Sequence, residues 1–299
     1  MGDMADGRVL GIGELLWDLF PDGPRLGGAP FNVVANMRRL SHSAAFVTAV
    51  GDDELGRSAV AAVDELGVDT TFISVAPDLP TGTVAVTPDP VEGHRFTIGS
   101  PAAYASIGDA DTLVTRLLDL VPEALVYGTL AQRSPAVREL THRVATEIRP
   151  VNRLYDVNLR DGSWTGDLVL DLLRDATVVK LNGDEAVVLA GLLGSAATGR
   201  ALATALAARY GIERLCITRG AAGATLLVGG DEYMVEGIEV DVADTVGAGD
   251  AFAAGLLHGL LTDMPPDETL RFANRLGALV ASRAGALPVW SATELADGP

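Results

Sequence analysis

Two stretches of the sequence set chemistry-bearing side chains beside glycines. The first is Asp244-Thr-Val-Gly-Ala-Gly-Asp-Ala-Phe252, in which Gly247, Ala248 and Gly249 lead directly into the apolar run Ala251–Leu261. Glycines let a backbone turn sharply and approach a ligand closely. The start of a helix leaves amide N–H groups unpaired, with partial positive charge behind them. Together these features make an anion hole that suits phosphate without any lysine. Asp250 falls in the first helical turn, facing the same spot, where a carboxylate can take a proton from a hydroxyl attacking phosphorus. A plain N-terminal capping role explains the same aspartate equally well. The second stretch is Leu26-Gly-Gly-Ala-Pro-Phe-Asn-Val-Val34. Here Gly27 and Gly28 permit close approach, and Asn32 offers both a donor and an acceptor. Asp18, just past the first apolar run, can accept two hydroxyl hydrogens. Asp, Asn and bare glycine amides form a sensible set for a polyol, although a strand-to-helix turn with Asn32 as its cap is the commoner use of such a sequence.

The elements that must position these groups alternate between short apolar runs and longer amphipathic ones. Strands are expected at Val9–Leu15, Ala44–Val50, Ala124–Tyr127, Leu154–Asn158, Val178–Leu181 and Arg214–Thr218, with a hairpin at Ala224–Val228 and Glu232–Val235. Helices are expected at Asn32–Leu40, Leu55–Leu66, Pro135–Ile148, Arg200–Tyr210, Ala251–Leu261 and Asp267–Arg283. Repeated strand–helix–strand units imply an α/β fold: a mostly parallel central sheet with helices on both faces. Thr71–Val75, Thr83–Thr87 and Arg95–Ile98 are short β-branched runs broken by Pro and Gly, which suggests hairpins. They are assigned to a small β-flap, about residues 71–105, on a single domain spanning 1–299. Ligands of open α/β sheets bind beyond the carboxyl ends of the strands, so the loops there are where chemistry is expected.

Composition removes several function classes. With 22 Lys+Arg against 40 Asp+Glu, the net charge of −18 repels nucleic acid and anionic membranes. The single cysteine, Cys216, allows no internal disulfide or multi-thiolate site, and its apolar surroundings suggest a buried, inert thiol. His42, His94, His142 and His258 form no i, i+4 ligand pair. Lys180, the only lysine, lies in Val-Val-Lys-Leu-Asn-Gly-Asp-Glu, not in the Gly-Lys-Ser/Thr context of a P-loop. No signal peptide or spanning apolar stretch is visible, so the chain reads as cytoplasmic.

The two glycine-rich stretches, taken together, resemble the N- and C-terminal signatures of the ribokinase-like (PfkB) family of carbohydrate kinases. Tyr155-Asp-Val-Asn-Leu-Arg160, the Asn-x-x-Glu motif at Asn182 to Glu185, and Thr218-Arg-Gly-Ala-Ala-Gly223 follow in the family's order. The resemblance covers nearly the whole chain and implies a ribokinase-like fold with ATP and Mg²⁺ as cofactors. It makes Asp250 the base, with Gly247, Ala248 and Gly249 holding the transferring phosphate. Asn182 and Glu185 would position Mg²⁺ through water. Thr218, Gly220 and Gly223 would line the ATP cleft, with Asn274 near adenine. Asp18, Gly28, Asn32 and Arg160 would contact the sugar, with Phe96 and Ile98 of the flap partly in its pocket. Asp244 resembles a position that helps hold a monovalent cation such as K⁺ in some members. The flap would act as a lid and offer a surface for a homodimer. Arg38-Arg-Leu-Ser-His-Ser43 departs from the Leu-Gly turn usual after the first helix, and Arg219 replaces a smaller residue in the nucleotide loop.

Glu14-Leu-Leu-Trp-Asp18 and the two signatures are most similar to the fructokinase branch, which points to fructose. A 2-keto-3-deoxygluconate kinase is the nearest competitor, because Arg160 could pair with a sugar carboxylate. Phosphorylated hexoses would need further cations in the flap or pocket, where few basic residues offer themselves beyond Arg25 and Arg95. A dinucleotide-dependent oxidoreductase fails at Leu16, which stands where the third glycine of Gly11-x-Gly13-x-x-Gly belongs. A non-catalytic sugar-binding regulator would have no need of Asp250.

Overall fold

Strands that read as unbroken apolar runs are those a parallel sheet buries on both faces. In the computed structural model, which describes residues 7–89 and 93–297, those runs lie at the centre. The strands are β1 (Arg8–Ile12), β2 (Leu16–Phe20), β3 (Gly23–Gly27), β4 (Ser43–Gly51), β5 (Ile73–Ala76), β6 (Gly82–Asp89), β7 (Gly93–Ile98) and β8 (Ala124–Tyr127). They continue with β9 (Asn152–Asp156), β10 (Val178–Asn182), β11 (Arg214–Thr218), β12 (Ala224–Val228) and β13 (Asp231–Val235). The helices are α1 (Ala29–Arg39), α2 (Glu54–Glu65), α3 (Ala110–Leu118), α4 (Pro135–Arg143) and α5 (Gly166–Leu172). After them come α6 (Gly183–Leu192), α7 (Arg200–Tyr210), α8 (Ala248–Leu261), α9 (Pro266–Ala281) and α10 (Ala292–Asp297).

A nine-stranded sheet runs β13-β12-β11-β10-β9-β8-β1-β4-β5, parallel from β11 to β5 and antiparallel through the hairpin at its other edge. Alternate residues feed two cores. Leu10, Val47, Leu125, Tyr155 and Val179 pack with residues of α3 to α7, while Val9, Phe46, Val126, Leu154 and Val178 pack with those of α1, α2, α8 and α9. Cys216 belongs to the second core, and burial pushes its thiol up to about 12, so it is inert as expected. The chain leaves β1 for β4 and β5 on one side, then returns to β8 on the other. That reversal opens a crevice beyond the carboxyl ends of β1 and β8.

The smaller sheet differs from expectation. It has four strands, β3-β2-β6-β7, and half of it comes from Leu16–Gly27. The run Val9–Leu15 is not one strand, because the chain turns after Ile12 and β2 starts at Leu16. Gly23, Pro24 and Gly27 disguise β3 as a turn, but an edge strand tolerates proline. Ile73–Ala76 leaves the flap altogether and pairs in parallel with β4 through Thr48↔Ile73. Residues 90–92 of the expected flap, and the side chains of His94 and Arg95, lie outside the described set. Trp17 anchors β2 to the main body by donating from Nε1 to the Leu55 carbonyl at 3.0 Å.

Candidate active site

The first glycine pair ends β3 and opens α1. Gly28 has φ +123, and a Cβ there would come within 2.1 Å of the Glu14 carbonyl oxygen, so no larger residue fits. This tight turn starts α1 early enough to place Asn32 one turn inside the helix, where its amide N–H bonds to the Gly28 carbonyl at 2.8 Å. Asn32 is therefore not a cap. Its side chain is buried and its Nδ2 donates to Asp250 Oδ2 at 2.8 Å, joining the two signatures. Its Oδ1 is buried with no donor, and a buried acceptor left unmet is costly.

Gly247, in the left-handed region at φ 78, precedes α8, and Asp250 is the third residue of that helix. Among the described residues, the amides of Gly247, Gly249 and Asp250 have no backbone acceptor, which leaves the donors of an anion cradle free. Burial raises the pKa of Asp250; the Asn32 hydrogen bond, Lys180 and Arg160 oppose this.

Asp18 sits on β2 of the small sheet, in one row with Val84 and Ile98, with Phe96 two residues along β7 on the same face. Its carboxyl is pushed up to about 6, first by burial and then by Asp250. Arg160 reaches the same space, with its guanidinium 5.9 Å from the Phe96 ring centroid. Ile98 is half-buried and also packs against the core beneath the small sheet. Asp244 accepts from the Val246 and Gly285 amides and pairs with Arg25 of β3 at 3.4 Å. That carboxylate is met by two amides and a guanidinium, with no metal ion needed to balance it.

On the other side of α8, Asn182 caps α6. Its side chain accepts from the Glu185 amide, and Glu185 returns a bond to the Asn182 amide at 2.8 Å, a capping box. Glu185 also accepts from Leu159 N at 2.9 Å, and burial and then Asp156 raise its pKa. Thr218 lies beside Asn182 in register on β11. Gly220 and Gly223 have φ 53 and 87, and a Cβ on Gly223 would strike the Val235 carbonyl oxygen, so the 219–223 loop lies flat against β13. Arg219 is exposed. Asn274 donates to the Glu236 carbonyl at 2.9 Å, tying α9 to the same wall.

Three groups escaped the sequence reading. Glu14, after β1, is buried and pushed up to about 7, chiefly by burial. Asp156, which ends β9, and Lys180 of β10 form a buried ion pair at 3.0 Å. The local sequence carries no sign of them, because their meeting depends on the parallel pairing Lys180↔Asp156. By contrast His42 and His258, although 2.8 Å apart, lie at the far end of α8 from the cradle. Among the described residues, no group of three or more His, Cys, Asp or Glu could hold a metal ion unaided. The fit to Mg²⁺ is one of charge: Asp156, Glu185 and Asp250 gather around the single ammonium of Lys180. A surplus of carboxylate oxygens suits a hard divalent ion that keeps its waters and also binds phosphate.

Comparison with known proteins identifies the family. The model of the pfkB family of carbohydrate kinases matches residues 24–292. The chain is 31% identical to the fructokinase of Escherichia coli over 94% of its length and 95% of that protein. It is 30% identical to the aminoimidazole riboside kinase of Salmonella typhimurium, over 95% and 92% respectively. A structure of Vibrio cholerae fructokinase with fructose, ADP and calcium bound superposes with a TM-score of 0.82, at 27% identity, covering 98% of this chain and 99% of that one. The chain therefore belongs to the pfkB family of carbohydrate kinases and is an ATP-dependent sugar kinase.

Proposed function

We propose that this kinase transfers the γ-phosphate of ATP to a primary hydroxyl of a free sugar, with fructose as the preferred acceptor. The observation that carries this reading is the Asn32–Asp250 contact. One side chain presents an unmet buried acceptor for a sugar hydroxyl, and its partner is a carboxylate able to take a hydroxyl proton. Asp18 and the Gly28 turn complete the sugar-binding set, and Arg160 with Phe96 closes it from the lid side. Two fructokinases at about the same similarity support the substrate class.

Phosphoryl transfer depends on positioning and charge neutralisation more than on covalent chemistry. In this reading Asn32 and Asp18 orient the sugar, and Asp250 accepts the proton from the attacking hydroxyl. The free amides of Gly247 and Gly249, joined by that of Asp250, hold the phosphate oxygens as charge moves onto them, whereas the Ala248 amide is already given to the Thr245 carbonyl at 3.3 Å. Thr218, Gly220 and Gly223 bed the nucleotide, with Asn274 in the wall behind. Glu185, with Asn182, would hold Mg²⁺ through its waters; the ion neutralises phosphate charge when bound. The four-stranded lid excludes water from the sugar side.

A second reading is a kinase of a sugar acid such as 2-keto-3-deoxygluconate, favoured by the Arg160 guanidinium, whose charge acts on both Asp18 and Asp250. ATP consumption against a panel of free sugars, sugar acids and nucleosides separates the two. Highest kcat/KM on fructose is expected. A preference for the sugar acid or for a riboside would overturn the fructose assignment while leaving the kinase class intact.

A further inference from the structure

The chain has one lysine, and the structure delivers its side chain to the helix terminus that the sequence suggested would hold phosphate without one. A Cβ built on Gly249 would lie 3.2 Å from Lys180 Nζ, so the ammonium stands against the first turn of α8. We propose that Lys180 contacts the phosphoryl group in transfer, sharing it with the cradle amides; this rests on the kinase reading of the site given above.

Three observations support it. The first is valence. An ammonium has three N–H donors, and the two hydrogen bonds of Lys180 both go to Asp156, at 3.0 and 3.1 Å. One donor is left on a group whose residue is only 7% exposed. The second is charge. The ammonium is paired with the Asp156 carboxylate at 3.0 Å, which fixes a cation beside the first turn of α8. The third is need. A helix terminus supplies about half a unit charge, and the molecule as a whole carries −18. A γ-phosphate entering that field gains from a full local cation. A buried ion pair serving structure alone is often replaceable by apolar residues at no loss, and nothing in that role requires it to abut a helix N-terminus. Asp156 then acts as a positioning residue that holds the ammonium toward the cradle.

The test uses the full chain with K180M and with the double variant D156N/K180M, which removes both buried charges together and so spares the fold. Affinities for Mg²⁺-ADP and for the Mg²⁺ complex of a non-hydrolysable ATP analogue with an imido-linked γ-phosphate are read by calorimetry, alongside thermal melting. The expected result is a loss on the order of 10- to 100-fold for the triphosphate, as for a lost charge-assisted hydrogen bond, with ADP affected far less, in both variants. Equal losses for the two nucleotides, or no loss for either in a folded variant, would overturn the contact. A wild-type protein that binds neither nucleotide would instead overturn the kinase reading of this site.

Discussion

Asn32 and Asp250 stand 218 residues apart in sequence and 2.8 Å apart in space. Removing the carboxylate in Asp250→Ala should lower kcat by roughly 10²–10⁴-fold, the usual contribution of a positioned base, while calorimetric ATP affinity stays within a few-fold of wild type. Near-normal turnover would sink the assignment. The same residue predicts a pH dependence. Burial lifts the Asp250 pKa above its ordinary 3.8, and Asp18 is lifted to about 6. A base works only when deprotonated, so kcat/KM should rise with pH along an acidic limb whose midpoint lies above 3.8. Stability runs the other way. Carboxyls with raised folded-state pKa values stabilise the fold most at low pH, and that advantage is lost as pH climbs through the folded values. For Glu14 the loss falls between 4.5 and about 7. A pH–rate profile with its acidic midpoint at or below the ordinary value would contradict this account. At this scale the sequence was legible where a motif is local, as in Asp244–Phe252. It was silent about Lys180 and Asp156, which acquire meaning only from the register of neighbouring strands.

Among the elements, the end of α1 offers a direct test of backbone strain. The unusual Arg38-Arg-Leu-Ser-His-Ser43 sequence closes the helix with Ser41 at φ 70. The Ser41 amide bonds to the Arg38 carbonyl and the His42 amide to the Met37 carbonyl, the paired bonds of a Schellman motif. An L-residue pays for that left-handed conformation and glycine does not. Ser41→Gly should therefore raise the melting temperature, by a stabilisation of about 0.5–1 kcal/mol; a lowered melting temperature would show that the serine side chain matters more than the strain. Most strands and helices were readable from apolar periodicity, since nearly all of them border one of the two cores. The expected helix Pro135–Ile148 holds, but its last turn, Val144–Ile148, widens to a π-helix ending at Arg149 with φ 59. The β2–β3 hairpin was not readable, because its strands are short, carry Gly and Pro, and owe their pairing to β6 rather than to any pattern of their own.

At the scale of the whole molecule, the charge of −18 sets how an anionic co-substrate arrives. Outside the cradle the long-range field repels a nucleotide, and salt screens that repulsion over a Debye length of about 10 Å at 0.1 M. The association rate for Mg²⁺-ATP in stopped-flow should increase as ionic strength is raised from low values, the reverse of electrostatic steering. A rate that falls with salt would mean the local cations dominate the approach. The α/β layering was foreseen from the alternation of elements; the make-up of the lid was not, because it is assembled from two distant segments, 16–27 and 82–98. Among the described residues no helix is long and apolar enough to cross a membrane.

Confinement of the chain's one lysine to the interior has a practical corollary. Reagents that acylate side-chain amines find a single target, Lys180, whose residue is only 7% exposed and lies at the cradle where α8 begins. The rate at which that one position takes up label therefore reports, without any engineered probe, how accessible the mouth of the cradle is, and an occupant there should slow it.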